Sequence, residues 1–174
     1  MRLLLSCLVV GLVLAGCSLV DEEPPSPDTA VDEAALAKGL AAMYAGDNPD
    51  PDDVAEGDCF ADALLAATDP EQLRDGGLVD ASYVVVTEIP ALPEDLAGTV
   101  ADAQLACTDF VEDSTAAQIS ITKGRLDARA YAACLRDTLD DAAIRASVIA
   151  SLRGSWEDPA LVRLSEAQSS CADQ

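Results

Sequence analysis

The sequence predicts an all-α fold, a compact assembly of about seven or eight short helices in two related halves, each stapled by one disulfide. Three observations lead there. Apolar residues recur at helical spacing along most of the chain, and only Tyr83 to Thr87 (YVVVT) reads as β-prone. Four cysteines, Cys59, Cys107, Cys134 and Cys171, sit in segments that echo one another. Half of the residues are apolar, alanine the commonest among them, with one Trp, three Tyr and two Phe. Such helices bury little area per residue, so cross-links matter to them.

The elements follow in chain order. Met1-Arg2 carries one positive charge, Leu3 to Leu14 is apolar apart from Ser6, and Leu14-Ala15-Gly16-Cys17 follows. That is the order of a charged n-region, a short apolar h-region and a small-residue cleavage site. The tetrapeptide resembles the lipobox of bacterial lipoproteins. The resemblance implies removal of residues 1–16 and diacylglyceryl transfer to the Cys17 thiol, and the absence of twin arginines favours the general secretory route. An uncleaved helix is the competing reading, because Leu3 to Val20 is almost long enough to span a bilayer. The short h-region and the complete box favour lipidation, which would hold the protein on the outer face of the cell membrane. Residues 17–29 (CSLVDEEPPSPDT) are acidic and proline-rich and read as an extended tether.

Residues 30–174 read as the helical domain. Leu36, Leu40, Met43 and Tyr44 share one face of a helix beginning near Val31, with Thr29 before it and Gly46 past its end. An acidic turn from Asp47 to Asp53 precedes a second helix carrying Cys59, Phe60, Ala63, Leu64 and Ala67 on one face. Asp69-Pro70 opens a short helix that Gly76-Gly77 stops. Residues 83–87 cannot form a sheet alone, so they are expected as extended chain over the helices or an isolated edge. Pro93 opens a helix with Leu96, Val100, Ala103 and Cys107 in register. Later helices are expected from Phe110 to Lys123, Asp127 to Leu139, Ala142 to Arg153 and Pro159 to Cys171, with Gly124 and Gly154 as stops.

Two segment pairs suggest duplication. Cys59-Phe60-Ala61-Asp62-Ala63-Leu64 parallels Cys134-Leu135-Arg136-Asp137-Thr138-Leu139, and Ala103-Gln104-Leu105-Ala106-Cys107-Thr108-Asp109 parallels Ala167-Gln168-Ser169-Ser170-Cys171-Ala172-Asp173. Repeat A would cover about 30–109 and repeat B about 110–174. Cys7 leaves with the leader and Cys17 is taken by lipid, so four cysteines remain for two disulfides on the oxidising side of a membrane. Of the three possible connectivities, Cys59–Cys107 with Cys134–Cys171 respects the repeat and keeps both bridges within a copy. Zinc is disfavoured, since no C-x-x-C pair and no histidine exist. The helical part also resembles the alanine- and aspartate-rich exported proteins of high-GC actinobacteria, a likeness that implies no activity.

Charge and chemistry exclude several classes. The chain has 10 basic and 32 acidic residues; losing Arg2 leaves 9 and a formal charge of −23. That argues against nucleic acid and against attraction to anionic headgroups, and permits divalent cations or a basic partner. Lack of histidine removes the commonest general base and transition-metal ligand together. Ser120-Ile121-Thr122-Lys123 matches S-x-x-K, but S-D-N and K-T-G are missing, so a polar helix end is preferred. Asn48 to Asp52 alternates oxygen ligands, yet a calcium loop starting at Asn48 would need glycine where Asp53 stands and glutamate where Cys59 stands. Trp156 is expected to pack on the second half, and Phe60 and Phe110 to lie in cores. No catalytic residue, metal ligand or cofactor site is assigned. The expected role is non-enzymatic binding of a protein or envelope component. The alternative is a carrier for a small apolar or cationic ligand between the halves.

Overall fold

A computed structural model describes residues 31–173; the leader and the whole tether, with Cys17, lie outside the described residues. Among the described residues the fold is all-α, with eight helices: α1 Glu33–Ala45, α2 Pro51–Ala67, α3 Pro70–Asp75, α4 Glu94–Cys107, α5 Phe110–Thr122, α6 Ala128–Thr138, α7 Asp141–Leu152 and α8 Pro159–Ala172.

Local chemistry sets most boundaries. Asp32 caps α1 by accepting from the Ala35 N–H at 3.0 Å, so the helix starts two residues beyond the expected Val31. The acidic turn is shorter than expected because α2 begins at Pro51. Asp50 accepts from the N–H groups of Asp52 and Asp53, and Asp53 accepts in return from the Asp50 N–H. This reciprocal box satisfies orphan donors of the first turn, where the helix dipole also favours Asp52 and Asp53. Asp69 and Gln72 repeat the arrangement on α3, with Pro70 at the first position. At the other end of α5, Lys123 takes the left-handed conformation (φ 54) and terminates the helix just before Gly124.

Two apolar clusters form the interior. Leu36 and Leu40 of α1, Phe60 and Leu64 of α2, Leu73 of α3 and Leu96 and Val100 of α4 meet in the first. Val111 of α5, Tyr131 and Leu135 of α6, Ile144 of α7 and Cys171 of α8 meet in the second, with Phe110 partly buried beside them. The halves are joined through α4 and α7. Ile149 and Leu152 of α7 pack on the first cluster, while Leu105 of α4 packs on the second. A backbone bond from Leu92 N–H to Leu152 C=O (2.9 Å) and a bidentate pair of Arg145 with Asp102 cross the same junction.

Disulfides Cys59–Cys107 and Cys134–Cys171 link α2 to α4 and α6 to α8. Each therefore ties the second helix of a set of four to the fourth. In the second set the intervening helix α7, with 12 residues, is longer than α6, with 11, so a shorter helix separates the bridged pair only in the first set.

Between α3 and α4 the chain is extended, and Val79 and Val85 form one antiparallel bridge. Asp80 turns the chain by accepting from the Ser82 and Val84 N–H groups. Tyr83 follows at φ 61, a conformation uncommon outside glycine, and its hydroxyl accepts from Arg74 at 2.8 Å. Trp156 departs from expectation: it stands 72% exposed in the turn before α8 instead of packing on the second half. Its neighbours are committed to local roles, since Gly154 makes the turn at φ 65 and Asp158 caps α8.

Gly57 marks the close approach of α1 and α2. A Cβ there would lie 2.5 Å from the Ala41 carbonyl oxygen and 3.2 Å from the Ala45 Cβ. Helix propensity alone would make Gly57→Ala stabilising by about 1 kcal/mol. The expected result is the reverse, a loss of about 1–3 kcal/mol, because backbone must move to admit the methyl. Urea unfolding of the variant checks the sign, and a rise in midpoint would refute the close contact.

Candidate functional site

The chemistry-bearing residues singled out above are dispersed. Ser120 lies exposed in the last turn of α5 and Lys123 is the exposed residue that ends it. Asp50 and Asp53 are occupied as the capping box of α2. Among the described residues no group of three or more Cys, Asp or Glu side chains is placed to hold a metal ion. No described helix is long and apolar enough to cross a membrane. Of the four bridged cysteines, Cys171 is buried and Cys59 is exposed.

The tertiary structure creates several open clefts among the described residues, two of which bring together residues from separate elements. The first, of about 630 Å³, runs between α1 and residues 82–87. Asp32, Ala35, Gly39, Ala42 and Gly46 line it at three- and four-residue intervals, so they share one face along the whole helix. Small side chains let the extended segment come close: a Cβ on Gly39 would lie 2.8 Å from a methyl of Val85. Asp47 joins the lining past the far end of α1, and no Lys or Arg lines the groove.

The second cleft, of about 720 Å³, lies where the halves meet, among the end of α4, the start of α5 and the α6–α7 turn. Leu105, Phe110, Leu139 and Ile144 supply apolar surface, and Asp109, Asp140, Asp141 and Arg136 its charge. Two of these carboxylates already have work. Asp109 caps α5 and pairs with Arg136 at 3.3 Å, and Asp140 caps α7. Backbone N–H donation from Glu112, reinforced by Arg136, holds the Asp109 carboxyl below its ordinary range.

Near this junction the acids crowd. Burial pushes the Asp113 carboxyl up, and the charges of Asp109 and Glu112 add to the effect. Glu56 of α2 is raised as well, by burial first and then by Asp113. Tyr44, stacked on Phe60 with ring centroids 4.4 Å apart, has its phenol raised by burial. Asp102 is the counter-case, held low by the hydrogen bonds from Arg145. Its contribution to stability is present above the ordinary aspartate range and is lost as pH falls through the lowered value. With both partners about half exposed, that contribution is small.

The sequence reading did not single out the first groove. Its signals were present but local to two distant segments: the small residues at Ala35, Gly39 and Ala42, and the unpartnered β-prone run. Nothing in the order of residues says that these two meet.

Fold and surface together define a disulfide-bonded, acidic, all-α domain with open grooves. Comparison with protein-family models, with curated proteins and with solved structures finds no match.

Proposed function

We propose that the chain is a cell-envelope lipoprotein, anchored to the outer face of the membrane through lipid on Cys17, and that its helical domain binds another protein or an envelope component without catalysing a reaction. The observation that carries the binding reading is the openness of the clefts. A carrier for a small molecule would call for an enclosed cavity lined by Leu and Val, whereas the two clefts described above are open to solvent and edged by carboxylates. Two intramolecular disulfides fit an oxidising, exported setting, where such bonds persist. The two sets of four helices, each bridged from second to fourth, are in keeping with an origin by duplication.

Two experiments test the reading. Alkyne fatty-acid labelling should mark the wild-type chain and not Cys17→Ser, which should leave the membrane fraction; persistent labelling of the serine variant would remove the anchor. Crosslinking in intact cells, followed by mass spectrometry, should capture one recurrent partner with the anchored protein. Absence of any recurrent partner across crosslinker lengths counts against the binding role.

A further inference from the structure

We infer that the groove beside α1 is a strand-addition site for an extended, basic segment of a partner protein, a deepening that rests on the binding role proposed above. In an antiparallel pair the N–H and C=O of one residue point to the same edge, and successive residues alternate edges. Here Val86 N–H donates to Leu78 C=O at 3.1 Å and Asp80 N–H donates to Val84 C=O at 2.9 Å. Val85, between them, must therefore aim its N–H and C=O at the opposite edge. Among the described residues neither group has a hydrogen-bond partner, and neither does the Thr87 N–H. A free edge of this kind is a template for another strand.

Dimensions set the length of the occupant. From Asp32 to Asp47 the helical rise is about 22 Å. At about 3.3 Å per extended residue, six or seven residues cover it. Such a segment would lie beside Val85, which already covers Gly39, with Ala35 and Ala42 as the small side chains beneath it and Asp32 and Asp47 at its ends.

Charge selects among occupants. Among the described residues Asp32 and Asp47 line the groove and no Lys or Arg does, although Arg74 meets the hydroxyl of the lining residue Tyr83 at 2.8 Å; the whole chain has a formal charge of −22. A second copy would bring the same excess of negative charge. The chain's own residues 18–29 hold Asp21, Glu22, Glu23 and Asp28 and no Lys or Arg. A segment with Lys or Arg near both ends is the complementary choice, drawn in by the acidic field.

The test uses a fluorescent seven-residue peptide of alternating Val and Thr with Lys at both ends, titrated into the detergent-solubilised full chain. Binding is expected, with slowed hydrogen exchange at the amides of Val85 and Thr87. A peptide N-methylated at alternate residues, which cannot complete the ladder, should bind at least tenfold more weakly. Asp32→Asn combined with Asp47→Asn should weaken the Lys peptide at least fivefold and leave folding intact, because asparagine caps α1 about as well as aspartate. No binding of the Lys peptide, equal binding of a peptide with Glu at both ends, or indifference to N-methylation would each overturn the proposal. In cells, the double variant should lose the crosslinked partner. If it keeps the partner, the groove inference fails while the binding role stands; if wild type captures nothing, the role itself fails.

Discussion

Replacing Cys59 and Cys107 together with alanine is expected to lower the unfolding free energy by about 4 kcal/mol. The bond closes a loop of sequence separation 48, and the entropy that this removes from the unfolded chain grows with the logarithm of loop length. Cys134–Cys171, at separation 37, comes out nearly equal by the same relation. The effect is large for this chain because its interior is modest. The first cluster is built mainly from Leu, Val and Ala around one phenylalanine, so each helix contributes little buried area. Stability of a domain this size is about 5–15 kcal/mol, and one bridge is a large share of that. Urea titration of the two double-alanine variants, read by circular dichroism, checks the figure. A loss below about 1 kcal/mol would mean that packing alone holds α2 to α4. Removing both bridges should leave the domain largely unfolded at room temperature.

Phe60→Ala should cost about 3–5 kcal/mol, the usual range for emptying a large aromatic from a packed core. Phe60 is 1% exposed, sits among Leu36, Leu40 and Leu64, and stacks on Tyr44. Its loss leaves a void that α1 can close only by sliding on α2, and Gly57 already holds those helices in backbone contact. Phe110→Ala is the internal comparison. Phe110 is only partly buried against the second cluster, so its truncation should cost clearly less. Equal losses for the two variants would show that burial, as described, does not govern the energetics.

Local signals made the all-α class legible in the residue order. Helical periodicity, the aspartates that became caps at positions 69 and 158, and the stops at Gly46, Gly76-Gly77 and Gly154 act within one turn of themselves. Errors of one or two residues at the ends arose where several acids compete for one cap, as at Asp47 to Asp53 and at Asp32. The cysteine pairs were legible for a different reason: among three connectivities, one keeps each bridge within its own echoing segment pair.

Composition and order by themselves therefore determined the class, the helix count and the charge, which depend on neighbours in the chain or on sums over it, while the thiol pairing was read from the echo between distant segments. Only the tertiary structure decided that Val85 lies on Gly39, that α7 serves both cores, and that Trp156 faces solvent. Burial needs a partner at the right distance as well as an apolar side chain, and partners remote in sequence are chosen by how whole helices pack.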